Sequence, residues 1–332
     1  MTDPSSTIDV HAHYLPGSAL DLMTTGRAAV STHVDSGVPG CIALNGMRVG
    51  TTIDQLSDVD GLLRAMDDSG IDVRVISPPP FTYRYWDDPA ETLKLHRMLN
   101  EATAAVADAR PDRFIGLATA PLQDADAAVE ELHRGVRELG LRGITVGTNV
   151  DGRNISDDGP VEVLRAAAAV DVPVLVHPDF VPNPRLAQHY LLNLIGMPTE
   201  SATALANLVL SGQLEAIADL RICFVHGGGS FPYLLGRLMK GWDVRPETKA
   251  ATSSPPDRQL DRVFFDSLTH SPLALRYLID LVGTPNVVIG TDAPFDVEEP
   301  QPLRRLRECP GLTADEEQQI TRLSPLRWLT GA

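Results

Sequence analysis

Eight short apolar runs, each followed by an amphipathic stretch, recur along this chain, and the alternation restricts its fold more than any other feature. The runs fall at roughly 6–12, 72–78, 113–119, 142–148, 172–177, 221–226, 262–266 and 286–291. The helical patterns fall near 57–69, 89–109, 124–139, 159–170, 200–218, 231–240, 272–282 and 313–329. Runs such as Val172-Pro173-Val174-Leu175-Val176 are apolar at every position, which suits strands of a parallel sheet buried on both faces. Eight such units in 332 residues predict an α/β fold, a (β/α)8 TIM barrel spanning 1–332. A doubly wound open sheet is the structural alternative. Residues 14–56 break the alternation and read as an insertion after strand 1, folded over the barrel mouth. A second irregular segment, 178–199, follows strand 5.

Composition removes several functional classes. A net charge of −16 argues against a nucleic-acid footprint and against an anionic membrane surface. The first residues, Met1 to Thr7, lack a signal peptide's basic and apolar regions, and no apolar run approaches the ~20 residues of a membrane span. Cys41, Cys223 and Cys309 give neither a disulfide framework nor a zinc-ribbon spacing. The expectation is a soluble cytoplasmic protein. None of the three lysines (Lys94, Lys240, Lys249) falls at a strand end, so a Schiff base or a carboxylated lysine bridging two metals has no donor.

In a barrel of this kind the chemistry gathers at the C-terminal ends of the strands. Strand 1 ends in Asp9-Val10-His11-Ala12-His13, where period-two alternation points both imidazoles the same way, about 7 Å apart, with Asp9 one step behind. Strand 5 ends in His177, strand 6 in His226 and strand 8 in Asp292, whereas strand 4 ends in Thr145-Val146-Gly147-Thr148 without an acid, Lys or Cys. His11, His13, His177 and Asp292 therefore form a ligand set for one divalent ion, with zinc expected and manganese or iron also accepted. Such an ion lowers the pKa of a bound water to about 7. His226, within reach and not needed as a ligand, is the natural general acid or base.

Blander readings exist for each residue. A single buried histidine at a strand end is more often a hydrogen-bonded core residue, and Asp292 before Ala293-Pro294 resembles a helix cap. Five ligand-type residues at four strand ends make coincidence a poor account. His226-Gly227-Gly228-Gly229 also suggests an esterase oxyanion loop, but no Gly-x-Ser-x-Gly elbow accompanies it. A metal-dependent hydrolase of an amide, ester or lactone needs nothing this sequence lacks. A silent binding protein on a barrel scaffold would have no reason to keep all five side chains.

Taken together, His-x-His, the histidine after strand 5, His-Gly-Gly-Gly and Gly-Thr-Asp resemble the amidohydrolase superfamily, in its metal-dependent decarboxylase branch. Pro111-Asp112-Arg113-Phe114-Ile115-Gly116-Leu117, Gly196-Met197-Pro198, Gly236-Arg237 and Ile289-Gly290-Thr291-Asp292-Ala293-Pro294-Phe295 extend the resemblance over nearly the whole length. It implies one zinc on His11, His13, His177 and Asp292, with His226 acting beside it. It implies non-oxidative decarboxylation of a small unsaturated or aromatic carboxylate. It also implies that Arg48 and Arg237 grip substrate carboxylates, Arg237 reaching in from a neighbouring subunit of a homodimer. Arg245 and Trp242 are weaker candidates of the same sort. Asp266 and His270, at and after strand 7, are candidates to orient a ligand from behind. One departure concerns the pocket wall. Where this branch carries tryptophans before Gly-Met-Pro, this chain has His189-Tyr190-Leu191-Leu192-Asn193, so Tyr190 keeps an aromatic ring while Asn193 presents an amide.

Overall fold

The computed structural model describes residues 6–24, 30–32, 40–44, 47–179 and 181–332. Eight parallel strands occupy the predicted runs: β1 (Ile8–His13), β2 (Val73–Ser77), β3 (Phe114–Gly116), β4 (Ile144–Val146), β5 (Val174–Val176), β6 (Ile222–Phe224), β7 (Val263–Asp266) and β8 (Val287–Val288). The helices that follow them are α1 (Val59–Ser69), α2 (Pro89–Ala109), α3 (Ala125–Arg137), α4 (Pro160–Ala169), α5 (Met197–Leu210), α6 (Phe231–Val244), α7 (Pro272–Val282) and α8 (Ser324–Thr330). At α2, Asp88 accepts from the Ala90 and Glu91 amides, and Pro89 takes the first helical position, where its missing N–H costs nothing.

Hydrogen bonding closes the strands into a ring. β1 pairs with β2 and β2 with β3, while β4 to β8 form a second run of parallel neighbours. The two runs meet where Ala118 N donates to Gly143 O (2.8 Å) and Thr145 N to Ala118 O (2.8 Å). They meet again where Val10 N donates to Ile289 O (3.0 Å) and Ala12 bridges Ala293. The result is a (β/α)8 TIM barrel, as the alternation predicts.

Alternation along β5–β8 divides the buried side chains between two clusters. Val174, Val176, Ile222, Phe224, Val263, Phe265 and Val287 pack with helix residues such as Leu164, Leu205 and Leu278. Leu175, Cys223, Phe264 and Val288 pack instead with Val73, Val75 and Trp328 of α8. His177 continues the parity of Leu175, and Asp266 that of Phe264, so the strands carry these polar groups to the same side as the second cluster.

Three elements differ from the sequence reading. The pattern at 200–218 is not one helix: α5 stops at Leu210, and Gly212, at φ 76°, turns the chain before the short helix Gln213–Ala216. The pattern at 313–329 is likewise divided, with a π-helical turn at Gln319–Leu323 between Ala314–Gln318 and α8. A hairpin unforeseen in the sequence, Asn149–Val150 with Arg153–Asn154, follows β4; its turn residues Asp151 and Gly152 both have positive φ, the geometry that Asp-Gly favours.

Within 14–56, the strands Val30–Thr32, Cys41–Leu44 and Met47–Thr52 make an antiparallel sheet. Positions 25–29, 33–39 and 45–46 of that expected insertion lie outside the described residues. The last of its strands is fastened to the segment after β8, through Asp296 N to Gly50 O (2.8 Å) and Thr51 Oγ1 to Pro294 O (3.0 Å). Gly50, at φ 75°, lies so close to Asp296 that any Cβ would overlap its carboxylate. Among the described residues no helix is long and apolar enough to cross a membrane.

Candidate metal centre

At the C-terminal ends of β1, β5, β6 and β8 five polar side chains converge. The rings of His11 and His13 meet edge to face at 5.3 Å between centroids, and the His177 ring lies 5.1 Å from each of them. His226 sits 5.1 Å from both His11 and His177. Asp292 lies among them, its Oδ1 3.0 Å from His13 Nε2 and 3.3 Å from His11 Nε2, its Oδ2 3.4 Å from His226 Nε2. Ligand atoms of His11, His177, His226 and Asp292 all fall within 4.8 Å of one another. That foursome differs by one residue from the set expected from sequence: it holds His226, while His13 touches the group through Asp292.

Hydrogen bonds behind the rings decide which nitrogen faces the cluster. His11 Nδ1 donates to Asp266 Oδ2 at 2.7 Å, and Asp266 Oδ1 accepts from the amides of Gly227 (2.8 Å) and Leu268 (3.1 Å). His177 Nδ1 donates to the carbonyl of Pro178 at 2.8 Å. With a proton on each Nδ1, His177 Nε2 presents a lone pair, and His11 Nε2 would do so once a metal ion displaced its second proton; both Nε2 atoms are buried without a hydrogen-bond partner. His13 and His226 differ: their Nε2 atoms face Asp292, and the buried nitrogen without a partner is Nδ1 in each. Buried polar nitrogens left unpaired are costly unless another species takes them up, and four imidazoles around one carboxylate fit a borderline divalent cation.

Electrostatics point the same way. Burial disfavours charge on His11, but Asp292 and Asp266 outweigh it and raise its pKa to about 10. Burial also works against Asp292, yet the charge of His11 and the hydrogen bond from His13 hold its carboxyl well below the usual range. Burial lowers His177 to about 3 and depresses His13, so both rings stay neutral and able to donate lone pairs. Two buried carboxylates thus face a nest of imidazoles, a site that favours added positive charge.

One supporting pair was only half visible in the sequence. Asp9 Oδ2 accepts from Arg74 Nε (2.9 Å) and Thr291 Oγ1 (2.7 Å), while its Oδ1 accepts from the His11 amide (3.1 Å). This fully buried knot ties β1, β2 and the end of β8 together directly behind His11. The clue was Arg74, the lone charge inside Val73-Arg74-Val75-Ile76.

The cluster opens into a cavity of about 610 Å³ whose lining includes His177, His226 and Asp292, together with Tyr190, Asn193 and His270. Most of the remaining wall is apolar: Phe81, Met197, Leu268, Leu273, Tyr277, Leu278, Phe295. Burial pushes the Tyr190 hydroxyl up to about 12, Asp296 and Asp292 add to this, and Arg48 opposes it. Arg48 itself is exposed, on the strand Met47–Thr52. Asn193 donates to Met197 Sδ at 3.4 Å. Arg237 is exposed on α6 and is not part of this chain's own cavity wall. Arg245 is exposed and paired with Glu247, and Trp242 stacks with Lys249, away from the cavity. His270, expected to orient a ligand, makes no hydrogen bond to the cluster; it stands exposed on the cavity rim, and Asp266 alone holds the position behind His11.

The family model described as Amidohydrolase matches residues 8–329. The chain is 32% identical over 301 residues to 2-amino-3-carboxymuconate-6-semialdehyde decarboxylase of Dictyostelium discoideum, covering 89% of this chain and 83% of that one. It is 30% identical over 264 residues to γ-resorcylate decarboxylase of Rhizobium radiobacter, covering 71% and 77%. Among solved structures it resembles 5-carboxyvanillate decarboxylase of Novosphingobium aromaticivorans in complex with manganese and 4-hydroxy-3-methoxy-5-nitrobenzoic acid. That likeness has a TM-score of 0.84 at 22% identity over 99% of this chain and 97% of that one.

Proposed function

Because the chain belongs to the amidohydrolase family, we propose that the cluster at its strand ends serves a metal-dependent, non-oxidative decarboxylase of a small unsaturated or aromatic carboxylate. The substrate this reading favours is 2-amino-3-carboxymuconate 6-semialdehyde or a close analogue, on the strength of similarity over 89% of the chain to a decarboxylase of that compound. The observation that carries the proposal is the convergence of His11, His13, His177, His226 and Asp292 on one point at the floor of a largely apolar cavity.

In this reading His11, His13, His177 and Asp292 hold one divalent ion, zinc by expectation, with manganese and iron also accepted by this donor set. The orphaned Nε2 atoms of His11 and His177, and the approach of His13 Nε2 to Asp292, support the assignment. When bound, the ion would supply Lewis acidity at neutral pH. Decarboxylation leaves the bonding electron pair on the substrate carbon, which must then gain a proton as CO2 departs. His226, whose ring faces both the cavity and Asp292, is placed to hold and deliver that proton. Arg48 would fix a carboxylate that is not lost, contributing orientation. Tyr190 and Asn193 wall the pocket. The apolar lining limits water around the reacting carbon.

The same reading makes the chain a cytoplasmic homodimer in which Arg237 serves the partner's pocket; its exposure outside its own cavity is consistent with that role. It takes 1–332 as one barrel with 14–56 lying over the mouth, supported by the contacts of Gly50 and Thr51 beyond β8.

The test is CO2 release from 2-amino-3-carboxymuconate 6-semialdehyde, with metal content measured on wild type and His226→Ala. Turnover with about one ion per chain, and a variant that keeps its ion but loses about 10²-fold or more in kcat, is the expected result. Loss of the ion from His226→Ala would make His226 a ligand in place of His13. Bound metal without CO2 release, but with cleavage of an amide, ester or lactone, would replace decarboxylation with hydrolysis.

A further inference from the structure

A polar amide interrupts the wall that the loop after β5 presents to the cavity. Tyr190, Asn193, Leu194 and Met197 all line it, at the i, i+3, i+4 and i+7 spacing of one helical face. The backbone there is out of the ordinary. His189 and Tyr190 both have a φ of 59°, and Leu192–Gly196 is a π-helical turn, a form that recurs at functional sites. Asn193 sits half-buried inside that turn, its backbone N–H bonded to Tyr190 O at 3.0 Å.

The side-chain amide of Asn193 has a defined orientation. Its Nδ2 donates to Met197 Sδ at 3.4 Å. A thioether accepts hydrogen bonds and cannot donate them, so the reversed amide would set two acceptors against each other. Oδ1 is thereby left over: among the described residues nothing donates to it, and it is not enclosed by protein. Other oxygens of the wall are hydroxyls, and two are already spent as donors, Tyr277 to Pro232 O at 3.0 Å and Thr269 to Ser271 O at 3.0 Å. Outside the histidine cluster, Asn193 Oδ1 is the one side-chain oxygen of the described wall that accepts and cannot donate. A hydrocarbon edge laid over it would strip its water and return nothing, whereas an N–H or O–H would restore the bond.

We propose that Asn193 is a specificity-determining residue whose Oδ1 accepts a hydrogen bond from an amino or hydroxyl substituent of the substrate. The inference rests on the decarboxylase reading and narrows its substrates to carboxylates that carry such a donor. The group so read is distinct from any that meets the ion, because Asn193 hydrogen-bonds to none of the cluster residues.

The test uses two series of benzoic acids, substituted at ring position 3 or 4 by amino, hydroxyl or methyl, groups of nearly equal size. Affinities are measured by calorimetry on the zinc-loaded full-length chain, as wild type, Asn193→Leu and Asn193→Asp, with metal content checked in each. Leucine keeps the size of the side chain and removes the acceptor; aspartate keeps an acceptor and removes the bond to Met197. In at least one series, wild type should bind the amino or the hydroxyl acid about tenfold tighter than the methyl acid. Asn193→Leu should lose that preference while binding the methyl acid within about threefold of wild type, and Asn193→Asp should keep it. Whichever of the two donors binds tighter is the one the site reads. Equal binding of the three acids by wild type, a preference that survives in Asn193→Leu or vanishes in Asn193→Asp, an equal loss of all three acids in Asn193→Leu, or no binding of any acid would each overturn the inference. CO2 release is scored separately. A chain that decarboxylates without a donor preference loses this inference alone, and one that reads the donor through Asn193 without releasing CO2 loses the decarboxylase reading alone.

Discussion

Replacing Asp266 by Asn changes one atom in the whole side chain and should disable His11 as a ligand. In the native structure Oδ2 accepts from His11 Nδ1 at 2.7 Å, while Oδ1 accepts from two backbone amides at 2.8 and 3.1 Å. Every partner of this carboxylate is thus a donor. An asparagine can accept at only one of the two positions. If its NH2 group faces His11, the ring must move its proton to Nε2, which removes the lone pair from the nitrogen that faces Asp292. If the amide rotates, the NH2 group faces the Gly227 and Leu268 amides and leaves two buried donors unpaired. The first route should weaken metal binding by about 10–100-fold, or about 1.4–2.8 kcal/mol. The second should cost about 1–3 kcal/mol of folding stability. Competition with a chromophoric chelator reads the first, and thermal unfolding in excess chelator reads the second. A variant that matches wild type in both measurements would refute the view that Asp266 sets the His11 tautomer.

Three further outcomes are expected. Gly229→Ala should destabilise by roughly 3 kcal/mol or more, seen as a lowered Tm, because φ is +61° and the new Cβ would overlap the Pro198 carbonyl. Arg48→Ala should raise KM for a carboxylate substrate by about tenfold with kcat little changed; a fall in kcat at constant KM would remove its anchoring role. Glu215, whose carboxylate accepts from Ser254 and Ser253, has its pKa lowered from 4.5 to about 2. Its stabilisation is therefore complete above about 4.5 and is lost as pH falls toward about 2, so the Tm difference between wild type and Glu215→Gln should shrink from pH 7 to pH 3.5.

The strands were legible because their runs are apolar on both faces, and the helices because caps such as Asp88-Pro89 mark their starts. The cluster was legible because His11, His13, His177, His226 and Asp292 end strands, and strand ends in a barrel share one face. Irregular backbone left weaker traces. Ser211-Gly212 divides a helical pattern whose apolar periodicity runs on through it, and a π-helical turn at Gln319–Leu323 alters no composition at all. His270 was misplaced for a related reason. Alternation carries a side chain's direction only to the end of its strand, and four residues beyond Asp266 a left-handed φ of 54° decides it instead.

The contacts between β1 and β8 also bear on how the molecule is made. Val10 N reaches Ile289 O, Thr291 Oγ1 reaches Asp9, and His13 meets Asp292 across 279 positions of sequence. During synthesis His13 emerges 279 positions ahead of its carboxylate partner. Until the eighth strand has left the ribosome and docked against the first, the chain offers scattered imidazoles and no enclosed coordination site. Capture of an ion in the full site is therefore a late event, conditional on ring closure, and a truncated or stalled chain has no means of retaining it there.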